Sequence, residues 1–430
     1  MAAVPTTRIY LPDAMLALVF NCGSSSLKFE LVELDDSARR KRSARGLVEE
    51  ISGRSRYTFT DFRGSTSTER VKFKDHTAAA RFALSRLMST DSSLSEALDV
   101  VVHRVVHGGQ IEQPRVVDGR VLRTLRSASR FAPLHNPPAI AVIQATRSVL
   151  KKTPAVVMPD TAFHSTLPPV AHTYALPHAL VRRWGIRRYG FHGIGHAWMA
   201  ERYAELRNRP VASLNLVTMH LGSGCSACAI SGGKSVDTSM GMTPLEGLMM
   251  ATRPGDIDPG VLTYLVSERK LRPKALEQIL NHKSGLLGVS GVSSDLRRVR
   301  AAAGSGNGRA QLAISLMAYR VRKYLGAYLT LAGQPHGVLF GGGVGEHDDQ
   351  LRHEALSGLE WLGIELDRAA NKAANGREAR ISSARSRIPV WVIPLDEELF
   401  LERAGLRLIV HPPGGSSDRR DAGFPANSPE

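Results

Sequence analysis

At residues 15–34 and again at 214–230, an apolar strand-like run meets a short turn of glycine and hydroxyl residues and a second strand-like run follows. In the first copy residues 15–21 are apolar, Cys22-Gly23-Ser24-Ser25-Ser26 forms the turn cluster, and residues 28–34 alternate polar with apolar. In the second, Leu216-Val217-Thr218-Met219-His220-Leu221 precedes Gly222-Ser223-Gly224, and residues 227–230 follow. Both read as β-hairpins with small, polar tips, and their recurrence points to a duplicated architecture. A third glycine turn, Gly341-Gly342-Gly343-Val344-Gly345, follows the strand-like residues 337–340, and residues 310–331 carry apolar side chains at helical spacing. Strands alternating with helices argue for an α/β fold class, and 430 residues exceed one comfortable domain, so two domains are expected.

Lysine and arginine number 56 against 40 aspartates and glutamates, a balance of +16 that attracts polyanions or small anionic substrates. The basic residues are scattered. The one dense run, Arg39-Arg40-Lys41-Arg42, has no interleaved aromatics and reads as a solvated hairpin loop, which argues against nucleic acid as a partner. Three cysteines cannot build a disulfide framework, and Cys225-x-x-Cys228 lacks both a second ligand pair for zinc and the helix start of a redox motif. No apolar run could span a bilayer and the first residues lack an export signal's layout, so a cytoplasmic protein with no membrane partner is expected. Residues before Asp13 read as dispensable, and the tail beyond His411, rich in proline, glycine, serine and charge, as disordered.

No P-loop is present, since Gly233-Lys234-Ser235 ends like one but Cys228 stands where its first glycine belongs. Other turns offer themselves to phosphate. Ser24, Ser26 and Lys28, together with Asn21, could share one face and converge on a phosphoryl group, or could simply make a turn. Arg104, in His103-Arg104-Val105-Val106-His107-Gly108-Gly109 after the strand-like residues 98–102, is placed for bidentate recognition of a carboxylate or phosphate, a surface salt bridge being the alternative. Asp160, after the apolar residues 155–158, is read as an exposed acid, either a Mg²⁺ ligand or a helix cap. His192 and His196 are spaced for zinc on a helix, but the glycines around them favour hydrogen bonding to a phosphoryl oxygen. Residues 237–260 are unusually dense in Gly, Pro, Asp and Arg for a connector, and Asp396-Glu397-Glu398 opens a helix with acids that could serve a metal or the helix dipole.

In this order, these stretches resemble the acetate kinase family, part of a superfamily that includes sugar kinases and actin, over residues 16–403. The resemblance implies two similar actin/ribonuclease-H-like α/β domains around an interdomain nucleotide cleft. The first would span residues 14–163 with a helix at 396–410, the second 164–395, with 411–430 a tail. It implies reversible transfer from ATP to acetate, giving acetyl phosphate and ADP, with Mg²⁺ or alternatively Mn²⁺, in a homodimer. Asp160, Arg104, Arg253 and His192 match the catalytic positions, and Arg104, Val106, Leu134, Phe191 and Pro244 those that receive the acceptor. Asn21 and Glu397 match metal-site positions. Ser24, Ser26, Lys28, His220, Leu221, Gly222, Ser223, Gly224, Asp295, Leu296, Arg297, Gly343, Val344, Gly345, Glu346 and His347 match nucleotide-binding segments.

A carboxylate is ionised at neutral pH and needs no general base, so such a reaction rests on positioning and on cations around the phosphoryl oxygens. Ser223 and His347 stand where the family carries asparagines, and Ala251 and Pro254 depart from its pattern around Arg253. Rival readings are a propionate or butyrate kinase, an actin-like nucleotide-binding protein without transfer activity, and a basic polyanion binder.

Overall fold

The computed structural model describes residues 14–35 and 39–412. The expectations for residues before Asp13 and for the tail from residue 413 lie outside the described residues. The chain divides into two compact units, one holding the residues up to Phe163 and those from Asp396 on, the other His164–Leu395.

The first unit is built on an eight-stranded sheet of β1 (Met15–Cys22), β2 (Leu27–Leu34), β3 (Arg40–Glu49), β4 (Arg56–Thr60), β5 (Thr66–Arg70), β6 (Val100–Val105), β7 (Arg115–Val116) and β8 (Ala155–Pro159). Its order is β5-β4-β3-β2-β1-β6-β8-β7, antiparallel from β5 to β1 and parallel across β1, β6 and β8. The hairpin read at residues 15–34 is therefore present, with its turn at residues 23–26. Phe20, Phe29 and Tyr57 pack in a row of aromatic rings in the core, as do the buried Ala79, Ala80, Ala83, Leu84 and Leu87 of helix His76–Thr90. Helix Glu397–Val410 returns to this unit, capped by Asp396, which accepts from Leu399 N at 3.0 Å.

The second unit carries β9 (Leu216–Leu221), β10 (Cys225–Ser231), β11 (Lys234–Thr238), β12 (Gly337–Gly341), β13 (Ala379–Arg380) and β14 (Val390–Val392), ordered β11-β10-β9-β12-β14-β13. The run β11-β10-β9-β12-β14 repeats the arrangement β3-β2-β1-β6-β8: an antiparallel meander, then two parallel strands. Parallel neighbours need crossovers, which helices supply, as Asp349–Leu356 does between β12 and β14. Among the described residues no helix is long and apolar enough to cross a membrane.

The basic run is corrected by the structure. Arg40 opens β3 instead of lying in a loop, and its guanidinium forks onto Asp396 at 3.1 and 3.2 Å, with Glu30 at 3.8 Å and Glu402 at 3.9 Å. The Arg40 side chain thus turns toward these acids, while Arg39 and Lys41 stay exposed. Glu402 is fully buried, and among the described residues neither carboxylate oxygen has a hydrogen-bond partner. Burial pushes its pKa up to about 9, against the opposing pull of Arg40, so it is a neutral acid at pH 7 despite that 3.9 Å approach.

Candidate functional site

In the first unit, strand register assembles the polar end of the sheet. Asn21 of β1 pairs with Lys28 across the hairpin and with Arg104 on β6, so three polar residues share one row. Arg104 lies inside β6, which runs past the predicted residues 98–102 to Val105. Its guanidinium clasps Asp160, with Nε donating to Oδ1 at 2.8 Å and Nη2 to Oδ2 at 2.7 Å, while Nη1 donates to Asn21 Oδ1 at 3.0 Å. Asp160 is only 1% exposed, not the exposed acid expected from its place after a strand, because a bidentate arginine lets a carboxylate be buried. Burial opposes the charge on Arg104, but Asp160 and Glu397 together raise its pKa above the ordinary arginine value.

Glu397 stands in the first turn of helix Glu397–Val410, with Oε2 3.9 Å from Arg104 Nη1. Burial pushes its pKa up to about 6 even though Arg104 pulls it down. The neighbouring Glu398 is paired with Lys28 at 2.7 Å. Ser24 and Ser26 occupy the turn between β1 and β2, Ser24 exposed and Ser26 half-buried. His103 and His107 flank Arg104 in sequence but turn into the core, where burial lowers their pKa values to about 3 and about 4. Val106 is half-buried at the end of β6, and Leu134 is half exposed ahead of helix Asn136–Val149.

Among the described residues, no three His, Cys, Asp or Glu side chains cluster as a metal cage. Magnesium does not require one, since it keeps several waters and is held by one or two carboxylates together with substrate phosphates. Glu397, half-buried and only loosely compensated by Arg104, and Asn21, whose Oδ1 keeps a second lone pair, are donors that fit such an ion.

In the second unit Arg253 and His192 sit around a glycine turn. His192 is the N-cap of helix Gly193–Arg207 at φ +57°, stacks on His220 with ring centroids 4.2 Å apart, and contacts Ser226 Oγ through Nδ1 at 2.9 Å. His164 fixes the chain just ahead of it: its Nε2 donates to the Phe191 carbonyl at 3.1 Å, so its Nδ1 accepts from Ser235 Oγ at 2.8 Å. Arg253 donates to the Pro244 carbonyl at 2.7 Å, and among the described residues no carboxylate lies within ion-pair distance of it. Burial lowers its pKa, with Cys225 the one opposing influence. A Cβ on Gly224 would lie 2.7 Å from Arg253 Nη2 and 3.1 Å from His192 Nε2, so the tip of the β9–β10 hairpin packs directly on the guanidinium and the imidazole. Cys225 and Cys228 are buried free thiols, and burial pushes the Cys225 pKa up to about 11.

The remaining candidates divide by which atoms they present. Leu221 and Leu296 bury their side chains, leaving only backbone for a ligand. Ser223 is exposed, and its carbonyl accepts from Ala251 N at 3.1 Å. Asp295 caps helix Leu296–Gly304 and is clasped by the exposed Arg297, whose hydrogen bonds lower its pKa to about 2. Gly342, at φ +81°, has no room for a Cβ, which would meet the Leu221 carbonyl oxygen at 2.6 Å. The helix Gly342–His347 therefore begins inside the glycine run and carries Gly343, Val344 and Gly345 in its first turn. Glu346 is structural, its Oε1 accepting from Gly342 N at 2.9 Å and Leu395 N at 3.0 Å, and His347 Nδ1 meets Asn375 Oδ1 at 2.8 Å. Phe191 is buried and Pro244 half-buried in this unit.

Sequence reading missed Ser226 and Thr218. In β9 and β10, Ser226 pairs with His220 and Cys228 with Thr218, so polar residues alternate on one face of two otherwise apolar strands. That alternation was the available signal. Their partners come from helix Gly193–Arg207, which no local spacing identifies.

Two units of one α/β topology, each carrying buried charge at the polar tips of its sheet, define a class of phosphate-handling folds. The profile of the acetokinase family matches residues 16–403. Acetate kinase from Clostridium botulinum (strain Kyoto / Type A2) is 43% identical over 394 residues, 90% of this chain and 98% of that protein. The acetate kinase structure from Porphyromonas gingivalis superposes with a TM-score of 0.86 at 38% identity, covering 92% of this chain and 100% of that one. A propionate kinase from Francisella tularensis gives 0.83 at 33% identity, covering 91% and 98%. The chain belongs to the acetokinase family.

Proposed function

We propose that this chain is a phosphotransferase that moves the γ-phosphoryl group of ATP reversibly onto acetate, giving acetyl phosphate and ADP. Arg253 carries the reading: a half-buried guanidinium beside His192 and a glycine turn, with no carboxylate to neutralise it among the described residues, is a site built to receive an anion. Acetate attacks as the ion it already is, so the chain supplies position and charge and no general base. Arg253 and His192 would stabilise negative charge on the transferring phosphoryl. Arg104, oriented by Asp160, would hold a carboxylate or phosphoryl oxygen through the edge of its guanidinium that faces Asn21. Val106, Leu134, Phe191 and Pro244 would receive the acceptor's methyl group. Backbone N–H groups around Gly222–Gly224 and Gly343–Gly345, with Ser24, Ser26, Lys28, His220, Asp295 and Arg297, would engage the nucleotide. Asn21 and Glu397 would hold Mg²⁺, or Mn²⁺ in its place, which when bound neutralises nucleotide phosphate charge.

A cytoplasmic homodimer is the working assembly. Leu180, Trp184, Val261 and Tyr264, left exposed on helices His178–Trp184 and Pro259–Ser267, give it apolar surface to bury, and sedimentation at several concentrations tests it. The function is tested by incubating purified protein with ATP, Mg²⁺ and acetate and trapping acetyl phosphate as the hydroxamate. Propionate and butyrate in parallel rank the acceptors, because one methylene changes discrimination by only about 1–3 kcal/mol. No product from any of the three sinks the kinase reading.

A further inference from the structure

Ser226 Oγ carries one proton and stands between two imidazoles, 2.9 Å from His192 Nδ1 and 2.8 Å from His196 Nε2. It can donate to only one of them and must accept from the other, so the tautomers of the two histidines are coupled. At the far side His196 Nδ1 meets Thr218 Oγ1 at 2.7 Å, and Thr218 Oγ1 reaches the Cys228 carbonyl oxygen at 3.5 Å. A carbonyl only accepts. If every proton in the row points toward that oxygen, all four contacts are used: His192 Nδ1–H to Ser226, Ser226 to His196 Nε2, His196 Nδ1–H to Thr218, and Thr218 to Cys228. The reverse order leaves the Cys228 contact unmade. It also places an N–H on His192 Nε2, the ring atom that shares the flank of Gly224 with the Arg253 Nη2 donor.

We infer that Ser226, His196 and Thr218 form a tautomer selector that keeps the resting proton of His192 on Nδ1 and presents Nε2 toward Gly224 and Arg253. The three are positioning residues that act through His192, and their bearing on turnover rests on the phosphotransfer reading above. With Nδ1–H already engaged, a proton taken up at Nε2 gives an imidazolium whose second N–H is aimed without any turn of the ring. His196 is fully buried, and burial, followed by His164 and His220, holds its pKa well below the ordinary histidine value. It therefore passes on hydrogen-bond direction, not charge.

The test reads the tautomer directly. Full-length protein with ¹⁵N-labelled histidine rings, without nucleotide, is examined by NMR at a pH where His192 is neutral, its signals identified by their loss in His192→Asn. The expected pattern is a protonated Nδ1 and an unprotonated Nε2. Thr218→Val removes the acceptor of His196 Nδ1–H, and a buried orphan N–H is avoided. The row should then reverse and the His192 proton should appear on Nε2, three groups away from the substitution. Thr218→Ser should restore the original pattern. In hydroxamate trapping, kcat should fall about tenfold in Thr218→Val, with the acetate KM within about twofold, and recover in Thr218→Ser. A wild-type His192 protonated on Nε2 overturns the proposal with no variant needed, and so does an unchanged His192 pattern in folded Thr218→Val. Inactive wild-type protein showing the expected pattern would instead defeat the phosphotransfer reading alone.

Discussion

Arg104 and Arg253 are both guanidinium groups withdrawn from water, and they are held by opposite means. Asp160 answers Arg104 with both carboxylate oxygens, whereas Arg253 has a carbonyl, a histidine ring and a glycine turn for company. Arg253 is thus the group with charge to spare, and replacing it by Leu should lower kcat by about a hundredfold or more while the far-ultraviolet circular dichroism stays unchanged. Asp160→Asn leaves a buried guanidinium half-answered, which should cost about 3–5 kcal/mol in denaturant unfolding as well as activity. Glu402 gives a pH test. Its folded pKa of about 9 exceeds its ordinary value of 4.5, so the folded state holds the proton more tightly than the unfolded state does. Its contribution is undiminished below 4.5 and is lost as pH rises toward about 9. Melting temperature should decline over that window, and Glu402→Gln, which cannot ionise, should flatten the decline.

At the scale of elements, helix Glu397–Val410 is tied down at its first turn by three contacts: the Asp396 cap, the Arg40 fork on Asp396, and Lys28 on Glu398. Asp396→Ala removes the cap and releases Arg40, and should destabilise the chain by about 1–2 kcal/mol in urea unfolding. Much of this level was legible in the sequence. The hairpins at residues 15–34 and 214–230 showed themselves by alternation and small-residue tips. What stayed hidden was long-range pairing. Asp160 read as exposed because its partner lies 56 positions earlier in the chain, and Arg40 read as solvated because Asp396 lies 356 positions later. Ser226 and Thr218 read as ordinary strand residues because a helix from elsewhere in the chain gives them meaning.

For the whole molecule, the repeated meander-then-parallel topology gives each unit its own sheet, yet only the second unit is continuous in sequence. The first unit is left at Phe163 and resumed at Asp396. A chain ended after residue 395 should give no hydroxamate product. Limited proteolysis should cut it within residues 14–163 and spare residues 164–395.

That interruption also orders events during synthesis. Residues 164–395 are all translated between Asp160 and Glu397, so Arg104 and Asp160 can be clasped while the whole intervening unit is made and before Glu397 exists. If Glu397 holds the metal, a nascent or prematurely terminated chain would lack that ligand and would not spend nucleotide.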